Sequence, residues 1–230
     1  MNFGENRILQ RQAYETSDYQ FAAENLAYSY GEIEVFSNVS FSLSQGELAF
    51  LVGENGSGKS TLLRCLAGWA RPTRGQVLLG NAPFDTSSRI MRKEVAFVPD
   101  SPVFYDDMTA NEHLAFICQA NQITQENEYS AELMSRLGLF RFKNRLPGTF
   151  SRGMKVKMGI ILALALSPKV LLFDEPYGPL DPKARRVLSG IIREQLNNGS
   201  AIIVSCHHEI PDLKPDLILQ MGIKECSSGG

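Results

Sequence analysis

Leu48-Ala49-Phe50-Leu51-Val52-Gly53-Glu54-Asn55-Gly56-Ser57-Gly58-Lys59-Ser60-Thr61 is the stretch that decides the fold. Five apolar residues read as a buried strand, and Gly53, Gly58, Lys59 and Ser60 then satisfy G-x-x-x-x-G-K-[ST]. Leu62, Leu63 and Leu66 follow as a helix closed by Gly68. In this strand, loop, helix order the motif has a physical purpose. Glycines let backbone N–H groups turn toward phosphate oxygens, and the helix presents the positive end of its dipole to them. Asn55, Gly56, Ser57 and Thr61 belong to the same cradle. Lys59 is expected to reach the β- and γ-phosphates, and Ser60 to ligate Mg²⁺ through its hydroxyl. Without its flanks the run would be an ordinary Gly-Ser turn.

Around this loop the chain has 230 residues, 43% hydrophobic and 21% charged, which suits one globular unit with room for an inserted lobe. Nineteen Gly, eleven Pro and four Cys exclude a collagen-like, disordered or disulfide-scaffold protein. With 23 basic against 25 acidic residues the net charge is -2, so no overall field holds nucleic acid or an acidic membrane, although a local basic patch would not show in the sum. The longest aliphatic run, 160–166, falls far short of the roughly 20 residues that cross a bilayer. Cys65, Cys118, Cys206 and Cys226 lack metal-ligand spacing and no signal segment opens the chain, so a reducing, cytosolic setting is expected. Residues 1–20 read as a polar extension, 21–224 as the single domain, and 225–230 as a flexible tail.

Short β-rich runs at 48–52, 95–98, 170–173 and 201–204 alternate with helical patterns, the signature of an α/β domain with a mainly parallel sheet. From about 100 to 167 helical signals take over, and this stretch is expected to form a helical subdomain inserted in the sheet domain. Thr109-Ala110-Asn111-Glu112 has capping-box spacing ahead of a stripe of Leu114, Ala115, Ile117 and Cys118. A second helix is expected over 131–137, stopped by Gly138, and a third from near Ser151 to before Pro168. Asp181-Pro182 reads as N-cap plus first-turn proline of a helix to about Asn197.

Val170-Leu171-Leu172-Phe173-Asp174-Glu175 is an apolar strand ending in two acids, which places both carboxylates at the sheet edge where ligands of open α/β sheets bind. Asp174 can hold Mg²⁺, and Glu175 can accept a proton from water attacking a γ-phosphate. With this pair and the glycine loop in place, residues 21–224 resemble the ATP-binding cassette of ABC transporters. The resemblance implies a P-loop NTPase core, an N-terminal antiparallel β subdomain and an inserted helical one. Phe150-Ser151-Arg152-Gly153-Met154 stands where that family has its signature, usually Leu-Ser-Gly-Gly-Gln, about 20 residues ahead of the acids. By resemblance, Ser151 and Gly153 face the ATP of a second subunit, and Asp181 in Leu180-Asp181 lies in the loop that crosses the dimer interface. His207 matches the switch histidine that contacts the γ-phosphate, with His208 as its rival. Tyr30, 23 positions before Gly53, resembles the aromatic that stacks on adenine, with Tyr28 as its competitor.

Three departures stand out. Asp100, in Val98-Pro99-Asp100-Ser101-Pro102, replaces the glutamine that touches Mg²⁺ and the attacking water in the family, and as an acid it can still ligate the metal through an ordered water and is expected to join the catalytic residues. Arg152 replaces the first signature glycine, and Met154 the signature glutamine. Ser-x-Gly-Met with an acid at the glutamine position resembles the cassettes of ABC-2 type exporters. The resemblance implies an ATPase using ATP and Mg²⁺, paired with a second, identical or different, cassette. It is attached to a permease on a separate chain and so peripheral to the cytoplasmic face of the membrane, with no role for nucleic acid. The chain's end soon after the His207 region adds to the expectation of an exporter. Two other readings remain: a soluble ABC-type ATPase acting in DNA repair or on the ribosome, and a nucleotide-binding regulatory module with little turnover.

Overall fold

The computed structural model describes residues 20–123, 128–207, 210 and 212–222. The expected N-terminal extension, apart from Gln20, the tail at 225–230 and His208 lie outside these residues. The described elements are, in order, β1 (Phe21–Tyr30), β2 (Ile33–Leu43), β3 (Leu48–Val52), α1 (Lys59–Leu66), β4 (Arg74–Leu79), β5 (Ala82–Pro83), α2 (Arg89–Glu94) and β6 (Val95–Val98). There follow α3 (Ala110–Ala120), α4 (Glu128–Arg136), α5 (Arg152–Leu164), β7 (Val170–Phe173), α6 (Pro182–Asn197), β8 (Ala201–Cys206) and β9 (Leu217–Gln220), with two short 3-10 turns between α4 and α5.

Two sheets result. One is antiparallel in the order β2-β1-β4-β5, and the other is wholly parallel in the order β6-β7-β8-β3-β9. This is the expected α/β fold with an N-terminal antiparallel sheet. The parallel strands are continuous apolar runs because both faces are covered, and alternate residues serve different cores. Leu48, Phe50, Leu171, Phe173, Ile202 and Val204 pack with α4, α5 and α6. Ala49, Leu51, Val170, Leu172, Ala201 and Ile203 pack with α1 and the antiparallel sheet.

Between β6 and β7 run α3, α4 and α5. The Thr109 hydroxyl accepts from the Glu112 N–H and the Glu112 carboxylate accepts from the Thr109 N–H, completing the expected capping box. The apolar stripe expected on α3 is corrected. Ala110 and His113 are buried, Leu114, Ile117 and Cys118 are half-buried, and Ala115 is exposed. His113, polar in the sequence, is buried because both ring nitrogens are used. Nε2 accepts from the Tyr105 N–H at 2.9 Å, which leaves the proton on Nδ1 to be donated to the Thr109 carbonyl at 2.8 Å. The other helices follow their punctuation. α4 ends ahead of Gly138 at φ +73°, and Ser151 and Asp181 are the N-caps of α5 and α6.

Candidate functional site

Parallel strands in register bring distant residues to one edge. Val98 pairs with Phe173, Phe173 with Val204, and Val52 with Cys206. The residues just beyond these ends therefore form a row: Asp100 after β6, Asp174 and Glu175 after β7, His207 after β8, and the Gly53 loop after β3.

The glycine loop enters α1 through Gly58, whose φ of +97° is the left-handed conformation that a side chain resists. It also supplies no side chain to cap α1. By contrast Ser88, Thr109, Ser151 and Asp181 cap α2, α3, α5 and α6. The uncapped first-turn N–H groups of α1 thus remain for an anion. Inside the loop the buried Ser57 hydroxyl has no hydrogen-bond partner among the described residues. Lys59, only 4% exposed, folds back and donates to the Gly53 carbonyl at 2.8 Å and the Glu54 carbonyl at 3.1 Å. Its ammonium also lies 3.6 Å from Glu175 Oε1.

Glu175 Oε1 is shared. His207 Nε2 is 2.8 Å away and donates to it, so one carboxylate oxygen sits between the loop lysine and the histidine. The Glu175 backbone is left-handed at φ +47°, uncommon for a residue with a side chain and a local strain that the surrounding structure must hold. Ser205, fully buried, supplies that hold. Its hydroxyl accepts from the Glu175 N–H at 2.8 Å and donates to Asp174 Oδ1 at 2.8 Å. Burial pushes the neighbouring Tyr177 hydroxyl up to about 12 and the Cys206 thiol up to about 11, so both are neutral near pH 7. Among the described residues the charged groups in contact with Glu175 are Lys59 and, when protonated, His207.

Asp174 is 4% exposed, and its second oxygen has no hydrogen-bond partner among the described residues. Among those residues no cluster of three or more His, Cys, Asp or Glu could hold a metal alone. A buried carboxylate with a free oxygen, plus the Ser60 hydroxyl at the start of α1, instead fits Mg²⁺. This ion is usually held by one or two protein groups and completed by phosphate oxygens and water.

The remaining expected residues separate. Tyr30 is 55% exposed, while Tyr28 packs into the core beside Phe36 and meets Tyr30 edge-on at 4.9 Å. Asn55 and Gly56 are exposed on the loop and Thr61 is buried behind it. Asp100 does not join Glu175. Its carboxylate is paired with Arg152, and Ser101 donates weakly to its other oxygen at 3.4 Å. The Ser151 hydroxyl accepts from the Met154 N–H at 3.3 Å. Gly153 lies so near the Pro179 carbonyl that a Cβ would sit 2.6 Å from its oxygen, so the fourth signature position must be glycine for packing. Asp181 accepts from the Ala184 N–H at 2.9 Å and lies 3.4 Å from Lys157, and the Ala184 hydrogen bond holds its carboxyl below the usual range. Sequence reasoning missed the Ser205 clamp, whose one signal is a hydroxyl at the end of an otherwise buried apolar strand. It also missed the Asp100–Arg152 pair.

Comparison with known proteins shows the family of the chain. The "ABC transporter" family description matches residues 36–178. The uncharacterized ABC transporter ATP-binding protein YxlF of Bacillus subtilis is 36% identical over 80% of this chain, which spans 61% of YxlF. The probable sulfate/thiosulfate import ATP-binding protein CysA of Chlorella vulgaris is 31% identical, with 85% of each covered. The SkfA peptide export ATP-binding protein SkfE of Bacillus subtilis is 32% identical, covering 80% of this chain and 77% of SkfE. A solved ATP-binding subunit of an ABC transporter superposes with a TM-score of 0.75 at 32% identity, covering 82% of this chain and 79% of that one. With the glycine loop, the two acids and the two sheets in place, the chain belongs to the ABC transporter ATP-binding family.

Proposed function

We propose that this chain is an ATP-hydrolysing nucleotide-binding subunit that energises a permease on a separate polypeptide from the cytoplasmic face of the membrane. The observation that carries the reading is the Glu175 carboxylate, lying 2.8 Å from His207 and 3.6 Å from Lys59 beside the glycine loop. No helix among the described residues is long and apolar enough to cross a membrane, which accords with a membrane-spanning partner on another chain.

In this reading Lys59 exchanges the Gly53 and Glu54 carbonyls for the β- and γ-phosphates, and the first-turn N–H groups of α1 meet the phosphate oxygens. Tyr30 offers its exposed ring to the adenine. Ser60 and Asp174 hold Mg²⁺, which when bound neutralises charge on the phosphates. Glu175 takes the proton of the attacking water, and His207 orients that carboxylate and approaches the γ-phosphate. Ser151, Gly153 and Asp181 face the nucleotide of a second cassette in a head-to-tail dimer. Ser-x-Gly-Met and Asp100 favour an exporter of the ABC-2 type; among the relatives, CysA is named for import and SkfE for export.

Glu175→Gln tests the proposal because it keeps size and hydrogen bonding but cannot take a proton. Hydrolysis should fall by on the order of 10²–10⁴ while ATP still binds, and size-exclusion chromatography with ATP and Mg²⁺ should show a dimer accumulating. Undiminished turnover would remove Glu175 as the base.

A further inference from the structure

The net charge of -2 hides a segregation: residues 137–168 carry Arg141, Lys143, Arg145, Arg152, Lys155 and Lys157 and no acid. Arg152 and Lys157 are paired with Asp100 and Asp181. Arg141, Lys143 and Arg145 have no carboxylate within ion-pairing distance among the described residues. Their partners are aromatic faces. The Arg141 and Arg145 guanidiniums lie 4.8 and 5.3 Å from the centre of the same Phe142 ring, and the Lys143 ammonium 4.6 Å from that of Phe140. Two like charges crowded on one ring leave repulsion that an anion would relieve.

The platform under these cations is fixed. Leu137, Leu139 and Pro147 are buried, and Phe142 meets Phe150 edge-on in the core. The carbonyls of Lys143 and Arg145 accept from the Asn111 and Ala110 N–H groups at the start of α3, at 2.8 and 3.0 Å. Beside the charges, Phe140 and Leu146 are 45% and 41% exposed. Cations interleaved with outward apolar side chains match the interface of an anionic bilayer, where headgroups take the charge and the acyl boundary takes the apolar tips. A nucleic acid would use the charges but leave Leu146 unserved.

We propose that residues 140–146 form a docking surface for an anionic lipid bilayer, giving the chain a direct membrane contact besides any permease. The inference rests on the reading above only in bringing the chain near a membrane. Vesicle co-sedimentation of the full chain without permease therefore fails or succeeds independently of the Glu175→Gln assay. The chain should sediment with phosphatidylglycerol-containing vesicles but not with pure phosphatidylcholine, and high salt should release it. Each cation near such a surface is worth about five-fold in partition, so replacing Arg141, Lys143 and Arg145 together by Gln should lower binding on the order of 100-fold. Binding of an ATP analogue reports that the variant is folded. If it is not, Phe140→Ser and Leu146→Ser, which leave the charges in place, should weaken vesicle binding instead. No binding by the wild-type chain, equal binding to neutral vesicles, or an unaffected folded triple variant overturns the proposal. Tighter binding to a single-stranded oligonucleotide than to anionic vesicles overturns it in favour of a nucleic-acid surface.

Discussion

Asp100 and Arg152, two of the three residues that depart from the family pattern at the glutamine and signature positions, are paired with each other. They lie 52 positions apart, one after β6 and one in the first turn of α5. Both are substantially exposed, so the pair should contribute little to stability, ~0–1 kcal/mol. Its expected consequence is for coupling, since it ties the start of the signature helix to the edge row of the sheet. Asp100→Ala and Arg152→Ala should each reduce permease-stimulated hydrolysis more than ATP binding. Combining them should cost little more than either alone, as expected of partners in one interaction. Stimulation assays on the two single variants and the double variant measure this, and additive losses would mean the pair is not the working unit. Ser205 is a second residue-scale case. Ser205→Ala leaves the Glu175 N–H and one oxygen of the buried Asp174 without their partner, which should cost about 1–3 kcal/mol. It should also slow hydrolysis by freeing the left-handed turn at Glu175, whereas Ser205→Thr, if its methyl fits, should restore part of the rate. Denaturant unfolding and steady-state turnover read the two effects separately.

Helix ends are the elements whose chemistry is most readable, and they give a stability prediction. Thr109→Ala removes one half of the capping box on α3 and should lower stability by about 1 kcal/mol in thermal denaturation. The other half is Glu112, whose carboxyl is held below its usual range first by the Thr109 N–H and then by the Thr109 hydroxyl. A depressed folded-state pKa stabilises above the unfolded value, and that stabilisation is lost as pH falls through the folded one. The cost of Thr109→Ala should therefore shrink in acid and be full at neutral pH. Legibility varied with how local the cause was. Strands β3, β7 and β8 could be read because burial on both faces turns them into unbroken apolar runs. The alternation of β1 is blurred by register shifts after Ala23 and Leu26, with Asn25 at φ +48° between them. The glycine loop and the acids were contiguous and so visible. Ser205 reaches Asp174 across 31 positions and Arg152 reaches Asp100 across 52, separations that only the sheet closes. Local pattern also misjudged α3, because a buried histidine satisfied by backbone partners looks polar in a sequence.

For the whole molecule the open matter is how the cassette would transmit its state to a membrane partner, and the loop between β6 and α3 carries the test. Its apolar run Val103, Phe104, Tyr105 divides between two roles. Phe104 packs against the core and meets His113 edge-on at 5.4 Å. Val103 is 93% exposed and Tyr105 59% exposed, with Tyr105 touching Phe116, itself 44% exposed on α3. His113 fixes this presentation, because its Nε2 holds the Tyr105 N–H and its Nδ1 holds the Thr109 carbonyl. An exposed aromatic and aliphatic patch on a rigid support fits a socket for a short helix of the permease. Val103→Asp should therefore weaken co-purification of the permease while leaving thermal stability and the basal hydrolysis of the isolated chain close to wild type. Phe104→Asp should behave differently, because an unpaired charge driven into the core destabilises the lobe before any partner is involved. The pair of variants discriminates between contact and folding. Loss of the partner with Val103→Asp at unchanged melting temperature supports the socket, and retention of the partner by a folded Val103→Asp chain would place the permease contact elsewhere on the molecule.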